Sequence, residues 1–188
     1  MTDDPLLFRN KYRIPEIRLR GKNYAEPGWY FVTICTKDRV PWFGRIQNGR
    51  MWLTDIGCIA YNAWVAIPDH FPYVTLDAFV VMPDHVHGIV RINAHDDVKR
   101  DVEARHGTPP PPQQTTPAPS FQLKPGSLGS IINQYKSTCT RELRKQGQDG
   151  FALQPRFYER IIRDDRELLN VRQYIVNNPA NWGRKSGG

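Results

Sequence analysis

The chain has 188 residues, with 26 Lys and Arg against 19 Asp and Glu, a net charge of +7. That length suits one compact domain with appendages, and the charge favours an anionic partner, most simply nucleic acid. No apolar run approaches the roughly 20 residues needed to cross a bilayer, and the start Met1-Thr2-Asp3-Asp4-Pro5 lacks a signal-peptide layout. Cys35, Cys58 and Cys139 are odd in number and have no Cys-x-x-Cys spacing. They read as reduced thiols of a cytoplasmic protein, against a disulfide frame or a zinc knuckle.

Residues 1–28 read as a basic N-terminal arm. Arg9, Lys11, Arg13, Arg18, Arg20 and Lys22 meet little acid there beyond Glu16 and Glu26. Such an arm can neutralise phosphates or stay a solvated terminus. Trp29 to Thr36 is rich in aromatic and β-branched residues and predicts a strand. Between Arg45 and Leu53, Asn48-Gly49 signals a hairpin turn. Thr54 is placed to N-cap a helix carrying Ile56, Ile59, Ala60, Ala63 and Trp64 at helical spacing, closed by Pro68 and Pro72.

Two strands follow, Val74 to Met82 and His85 to Ile92, and their short connection predicts an antiparallel pair. In an extended strand alternate side chains share a face, so His85 and His87 point the same way while Val86 faces a buried side. Two same-face imidazoles on a rigid strand can hold one divalent ion and leave open coordination positions. The competing reading is one hydrogen-bonded core histidine and one surface histidine.

Residues 93–125 change character, with Pro109 to Pro112 followed by Gln, Thr, Ser and further prolines. This composition builds no core and predicts a disordered surface insertion. Ser127 is placed to N-cap a helix from Leu128 to about Gln146, ended by Gly147. Its apolar face carries Leu128, Ile131, Ile132, Tyr135, Cys139 and Leu143. Phe157 to Arg163 alternates as a strand, and Asp164 or Asp165 caps a last helix that Asn177-Asn178-Pro179 is expected to stop.

Without the small hairpin, the order is β-α-β-β-α-β plus a terminal helix. It predicts an α+β ferredoxin-like sandwich, an antiparallel sheet with helices on one face. A single domain at 29–182 would carry the insertion, with 183–188 as a tail.

In that fold the second helix crosses the sheet, so the Tyr135 hydroxyl becomes a candidate nucleophile beside the histidines. The alternative is that Tyr135 is an ordinary core-edge aromatic. A phenol of pKa near 10 needs help to attack at neutral pH. A divalent ion such as Mg²⁺ or Mn²⁺ polarises a phosphodiester and steadies the developing charge. Lys136, Arg141, Arg160 and Arg163 join Arg18 and Arg20 as candidate DNA contacts, or as solvated faces.

Four stretches now carry a resemblance. They are Ile17 to Arg20 with Tyr24 to Thr36; Leu76 to Ile89, containing Met82-Pro83-Asp84-His85-Val86-His87-Gly88; Ser127 to Ile132 with Tyr135-Lys136-Ser137; and Phe157 to Arg163 through Tyr174 to Pro179 and Trp182. Together they resemble the single-tyrosine HUH transposases, and more closely the REP-associated tyrosine transposases. The resemblance implies a ferredoxin-like catalytic domain with His85 and His87 as ligands of Mg²⁺ or Mn²⁺ and Tyr135 as nucleophile. It implies nicking and strand transfer on single-stranded DNA with palindromic hairpins, through a phosphotyrosine link. Relatives often place an amide or carboxylate ligand one turn beyond the tyrosine, and here that position is Cys139, with Glu142 further on. The alternatives are a hairpin-binding protein with weakened catalysis and a zinc hydrolase using the His pair. Monomer and homodimer stay open.

Overall fold

The computed structural model describes residues 26–94 and 126–183, together with two short paired strand pieces, β1 (Leu7–Phe8) and β2 (Tyr12–Arg13). The expectations for the basic arm, including Arg18 and Arg20, for the proline-rich insertion and for the tail lie almost wholly outside the described residues.

The central sheet has four antiparallel strands: β3 (Gly28–Cys35), β6 (Val74–Met82), β7 (His85–Ile92) and β8 (Tyr158–Ile162), in the order β6-β7-β3-β8. This is the order of a ferredoxin-like sheet, with the first and third of its strands in the middle. A separate hairpin, β4 (Gly44–Gln47) and β5 (Arg50–Leu53), turns at Asn48-Gly49, both of which have positive φ. Helix α1 (Asp55–Val65) starts where Thr54 accepts a hydrogen bond from the Gly57 amide. Pro68 does not simply end it. It enters a further single helical turn, α2 (Ile67–His70), near whose start its missing N–H is harmless. Helix α3 (Leu128–Lys145) is capped by Ser127, and helix α4 (Asp165–Asn181) by Asp164. Pro179 does not stop α4. It lies inside the helix, which ends one turn later than the sequence suggests.

The sheet is covered on both faces, by two distinct cores. On one face Tyr30, Val32, Ile34, Val81, Val86 and Val90 pack against Ala60, Ala63 and Trp64 of α1 and Ile131, Ile132, Tyr135 and Cys139 of α3. On the other, Phe31, Ile89 and Ile162 pack against Leu168, Val171 and Ile175 of α4. Each layer follows from strand alternation: residues 86 and 90 face α1 and α3, and residues 87 and 89 face α4. Gly88 is needed because the Trp64 ring lies on it. A Cβ there would sit 2.2 Å from Trp64 Cζ2.

One break in the alternation matters. Leu76 pairs with Val90 and Phe79 with Gly88, so Asp77 and Ala78 together oppose a single residue of β7. This β-bulge turns Asp77 toward α4. Its carboxylate accepts two hydrogen bonds from the Arg172 guanidinium, at 2.8 and 2.6 Å. Bonding to Arg172 holds the Asp77 carboxyl below its ordinary pKa, outweighing partial burial. The fork fixes α4 across the histidine-bearing face.

Candidate active site

The register places Thr33 of β3, His87 of β7 and Val80 of β6 side by side, with Cys35, His85 and Met82 one step along the same face. His85 and His87 are 5% and 6% exposed, and their Nε2 atoms are 2.9 Å apart. Each ring is held by its other nitrogen. His85 Nδ1 meets Asp84 Oδ1, and Asp84 in turn accepts from Arg39 Nε at 2.9 Å. A carboxylate only accepts, so it fixes the proton on His85 Nδ1 and leaves the Nε2 lone pair facing inward. His87 Nδ1 lies 2.8 Å from the Thr33 hydroxyl, which both donates and accepts and therefore suits either tautomer. Burial, with His85 and Arg39 nearby, drags the His87 pKa to about 3 despite Asp84. Its ring stays neutral at physiological pH.

Two Nε2 atoms about 3 Å apart, each ring anchored behind by an oxygen, match what a divalent ion needs from two imidazoles. Among the described residues no group of three or more His, Cys, Asp or Glu stands together. Two imidazoles by themselves would leave further coordination positions of a bound ion open.

The expectation for Tyr135 fails on geometry. The α3 stripe is buried as predicted, but against the face of the sheet opposite the histidines. Tyr135 is 1% exposed, with its ring set edge-on to Trp64 at 5.4 Å. A strand layer separates it from His85 and His87. Burial also pushes its phenol well above the ordinary range, further from ionising. Cys139 lies in the same core, and Glu142 is half-buried and paired with Arg141 and Lys145. Neither faces the histidines.

The tyrosine that the structure brings to the pair is Tyr174, on α4. Leu168, Val171 and Ile175 form the buried stripe of that helix, and Tyr174 sits at its rim, 52% exposed. Its hydroxyl is 3.2 Å from His87 Nε2. Phe31 fixes the ring, meeting Tyr174 edge-on at 6.0 Å and stacking on His87 at 5.4 Å. The indole of Trp182 lies over His85, 5.8 Å between ring centres. One signal for Tyr174 was present in the sequence. The two helices inside β-α-β crossovers must cover one face, that of Val86 and Val90, which leaves only the terminal helix for the histidine face.

The basic candidates divide. Arg160 pairs across to Phe31 in the sheet, on the histidine face, and is ion-paired with Glu167; Arg163 follows at the end of β8. Arg141 lies on α3, in the other layer, bonded to Glu142. Lys136 is committed to structure: its ammonium donates to the carbonyls of Gln154, Pro155 and Arg156 at 2.8 to 3.3 Å.

No family model matches the chain. An uncharacterized protein of Haemophilus influenzae (strain Rd) is 37% identical over 166 residues, covering 88% of each chain. A second protein of that organism, named "Putative REP-associated tyrosine transposase", is 24% identical over 86% of this chain and 76% of its own. Among solved structures, a REP-associated tyrosine transposase bound to a REP hairpin superposes with a TM-score of 0.57 at 20% identity, covering 88% of this chain and 74% of that one. No helix of the described residues is long and apolar enough to cross a membrane. The chain thus belongs to one family with the 37% identical Haemophilus protein, is distantly similar in sequence to the protein named as a REP-associated tyrosine transposase, and shares the fold of the solved one.

Proposed function

We propose that this protein nicks single-stranded DNA beside a palindromic hairpin and transfers the strand through a covalent bond to Tyr174. The observation that carries the reading is the 3.2 Å approach of the Tyr174 hydroxyl to a pre-oriented pair of buried imidazoles. The relationship to the REP-associated tyrosine transposases, one of which is solved with a REP hairpin, supplies the substrate class.

The chemistry balances as a transesterification. Tyr174 Oη attacks the phosphorus and forms a new P–O bond. The bond from phosphorus to the 3′-oxygen breaks, the phenol proton is lost, and the departing oxygen takes up a proton as a 3′-hydroxyl. The phosphotyrosine ester keeps the energy of the broken bond, so a second hydroxyl can reverse the step without ATP. Mg²⁺ or Mn²⁺ held by His85 and His87 would polarise the phosphate and stabilise its developing negative charge. Asp84 and Thr33 hold the two rings, Arg39 holds Asp84, and the Asp77–Arg172 fork holds the helix that presents the nucleophile. Asn178 stands one turn beyond Tyr174 on the same helix, an amide at the spacing where a further oxygen ligand is expected. The reading of a scaffold with weakened catalysis rested on Cys139. It loses that support, because Cys139 lies in the other core.

The test is incubation of the protein with Mn²⁺ and an end-labelled hairpin oligonucleotide bearing single-stranded flanks. A denaturant-resistant adduct, mapped to the peptide containing Tyr174, is the expected result. Absence of any adduct with Mg²⁺ and Mn²⁺, despite hairpin binding, leaves a binding protein.

A further inference from the structure

Beside Tyr174, a cavity of about 590 Å³ opens between the end of β8 and the first turns of α4. That volume lies within the roughly 300–1,000 Å³ usual for small-ligand sites. Three features of its walls stand together. Phe31 and Tyr158 form an aromatic side, edge-on to each other at 6.3 Å, and Tyr158 is 41% exposed with ring surface to offer. Arg163 and Arg166 supply positive charge, and among the described residues neither has a carboxylate partner, whereas Arg160 is already tied to Glu167. Asn170, exposed one turn before Tyr174, presents an amide that donates and accepts.

The cavity is continuous with the candidate nucleophile, because Tyr174 and Phe31 line it and Phe31 also stacks on His87. A ring face, an amide and free guanidinium groups within one hollow suit a single unstacked nucleotide. The base lies on the aromatic ring, the amide meets the base edge, and arginine meets the backbone phosphate. Duplex DNA cannot use such a hollow, since its bases are already stacked.

We infer that this cavity receives one unpaired base flanking the scissile phosphate, so that Tyr158 and Asn170 select the position at which the strand is cut. The inference rests on the proposed DNA chemistry and deepens it. The hairpin itself would be held elsewhere, and the cavity would fix the register of the single-stranded flank relative to Tyr174.

The test uses the full chain carrying Tyr174→Phe, so that binding is measured without cleavage. Two probes are compared: a hairpin alone, and the same hairpin with single-stranded flanks in which 2-aminopurine replaces each flank position in turn. The flanks are expected to strengthen binding, and one position is expected to lose fluorescence by stacking. Tyr158→Ala restores that fluorescence and weakens flank binding about tenfold, and Asn170→Ala weakens it by several-fold, while both variants bind the bare hairpin as the parent does. Equal flank binding and unchanged quenching in both variants overturn the cavity's role and leave the hairpin reading intact. Failure of the parent to bind either probe overturns both. Asn170 is solvent-facing on its helix, so Asn170→Ala keeps the fold even if Tyr158→Ala disturbs the edge strand.

Discussion

Replacing each of two tyrosines by phenylalanine separates chemistry from packing. Both substitutions keep the ring, so neither opens a cavity. Tyr174→Phe removes a half-exposed hydroxyl whose contact is His87 Nε2 at 3.2 Å. Loss of one such hydrogen bond costs about 0.5–1 kcal/mol of stability. In a chain of this size that lowers Tm by roughly 1–4 °C. Covalent adduct formation, however, should fall by at least about 10³-fold, because the proposed nucleophilic oxygen is removed. Tyr135→Phe acts in reverse. Its hydroxyl is fully buried, with the Cys139 thiol beside it as a weak partner at best. A buried hydroxyl so poorly partnered carries much of a desolvation penalty of about 1–3 kcal/mol. Removing it should leave Tm unchanged or raise it by several degrees, with adduct formation unaltered. Calorimetric melting of the three proteins and a gel assay of adduct yield with Mn²⁺ and labelled hairpin give both readouts. An adduct that survives in Tyr174→Phe but disappears in a folded Tyr135→Phe would refute the assignment of the two sheet faces to two different tasks.

Three further outcomes are expected. Thr33→Val keeps the β3 packing but removes the oxygen behind His87, so Mn²⁺ affinity measured by titration calorimetry should drop about 10- to 100-fold, and His87→Ala should drop it further; unchanged affinity in both argues against the imidazole pair as the metal site. Gly88→Ala drives a methyl group into the Trp64 ring, which should lower stability by about 1–3 kcal/mol in urea unfolding, whereas Gly147→Ala meets no atom within 4 Å and is opposed only by its positive φ. Asp77→Asn weakens the fork that fixes α4, for a loss of roughly 1 kcal/mol given its partial exposure. Because Arg172 lowers the Asp77 pKa in the folded protein, that contribution is complete above the ordinary carboxylate range and fades as pH falls through the lowered value. The stability gap between wild type and Asp77→Asn should therefore close in acid, and a gap that widens there excludes the fork as its source.

Local chemistry along the chain determined more of the fold than of the site. Thr54, Ser127 and the pair Asp164-Asp165 marked three helix starts, and in the structure Thr54, Ser127 and Asp164 accept the backbone N–H groups. Alternation in Val74 to Ile92 fixed a strand pair and put His85 and His87 on one face. These are short-range matters, settled within a few residues by dihedral preference and capping. The bulge at Asp77-Ala78 escaped because both residues suit either side of the pleat, and only pairing with β7 and the reach of Arg172 decide it. The choice of tyrosine lay beyond periodicity. Tyr135 and Tyr174 each stand on an amphipathic helix, and a helical stripe tells which side is buried without telling against which face of a sheet. That is decided by how the chain crosses from strand to strand. Two crossovers of one hand set α1 and α3 against Val86 and Val90, and only the terminal helix was left to cover the histidines.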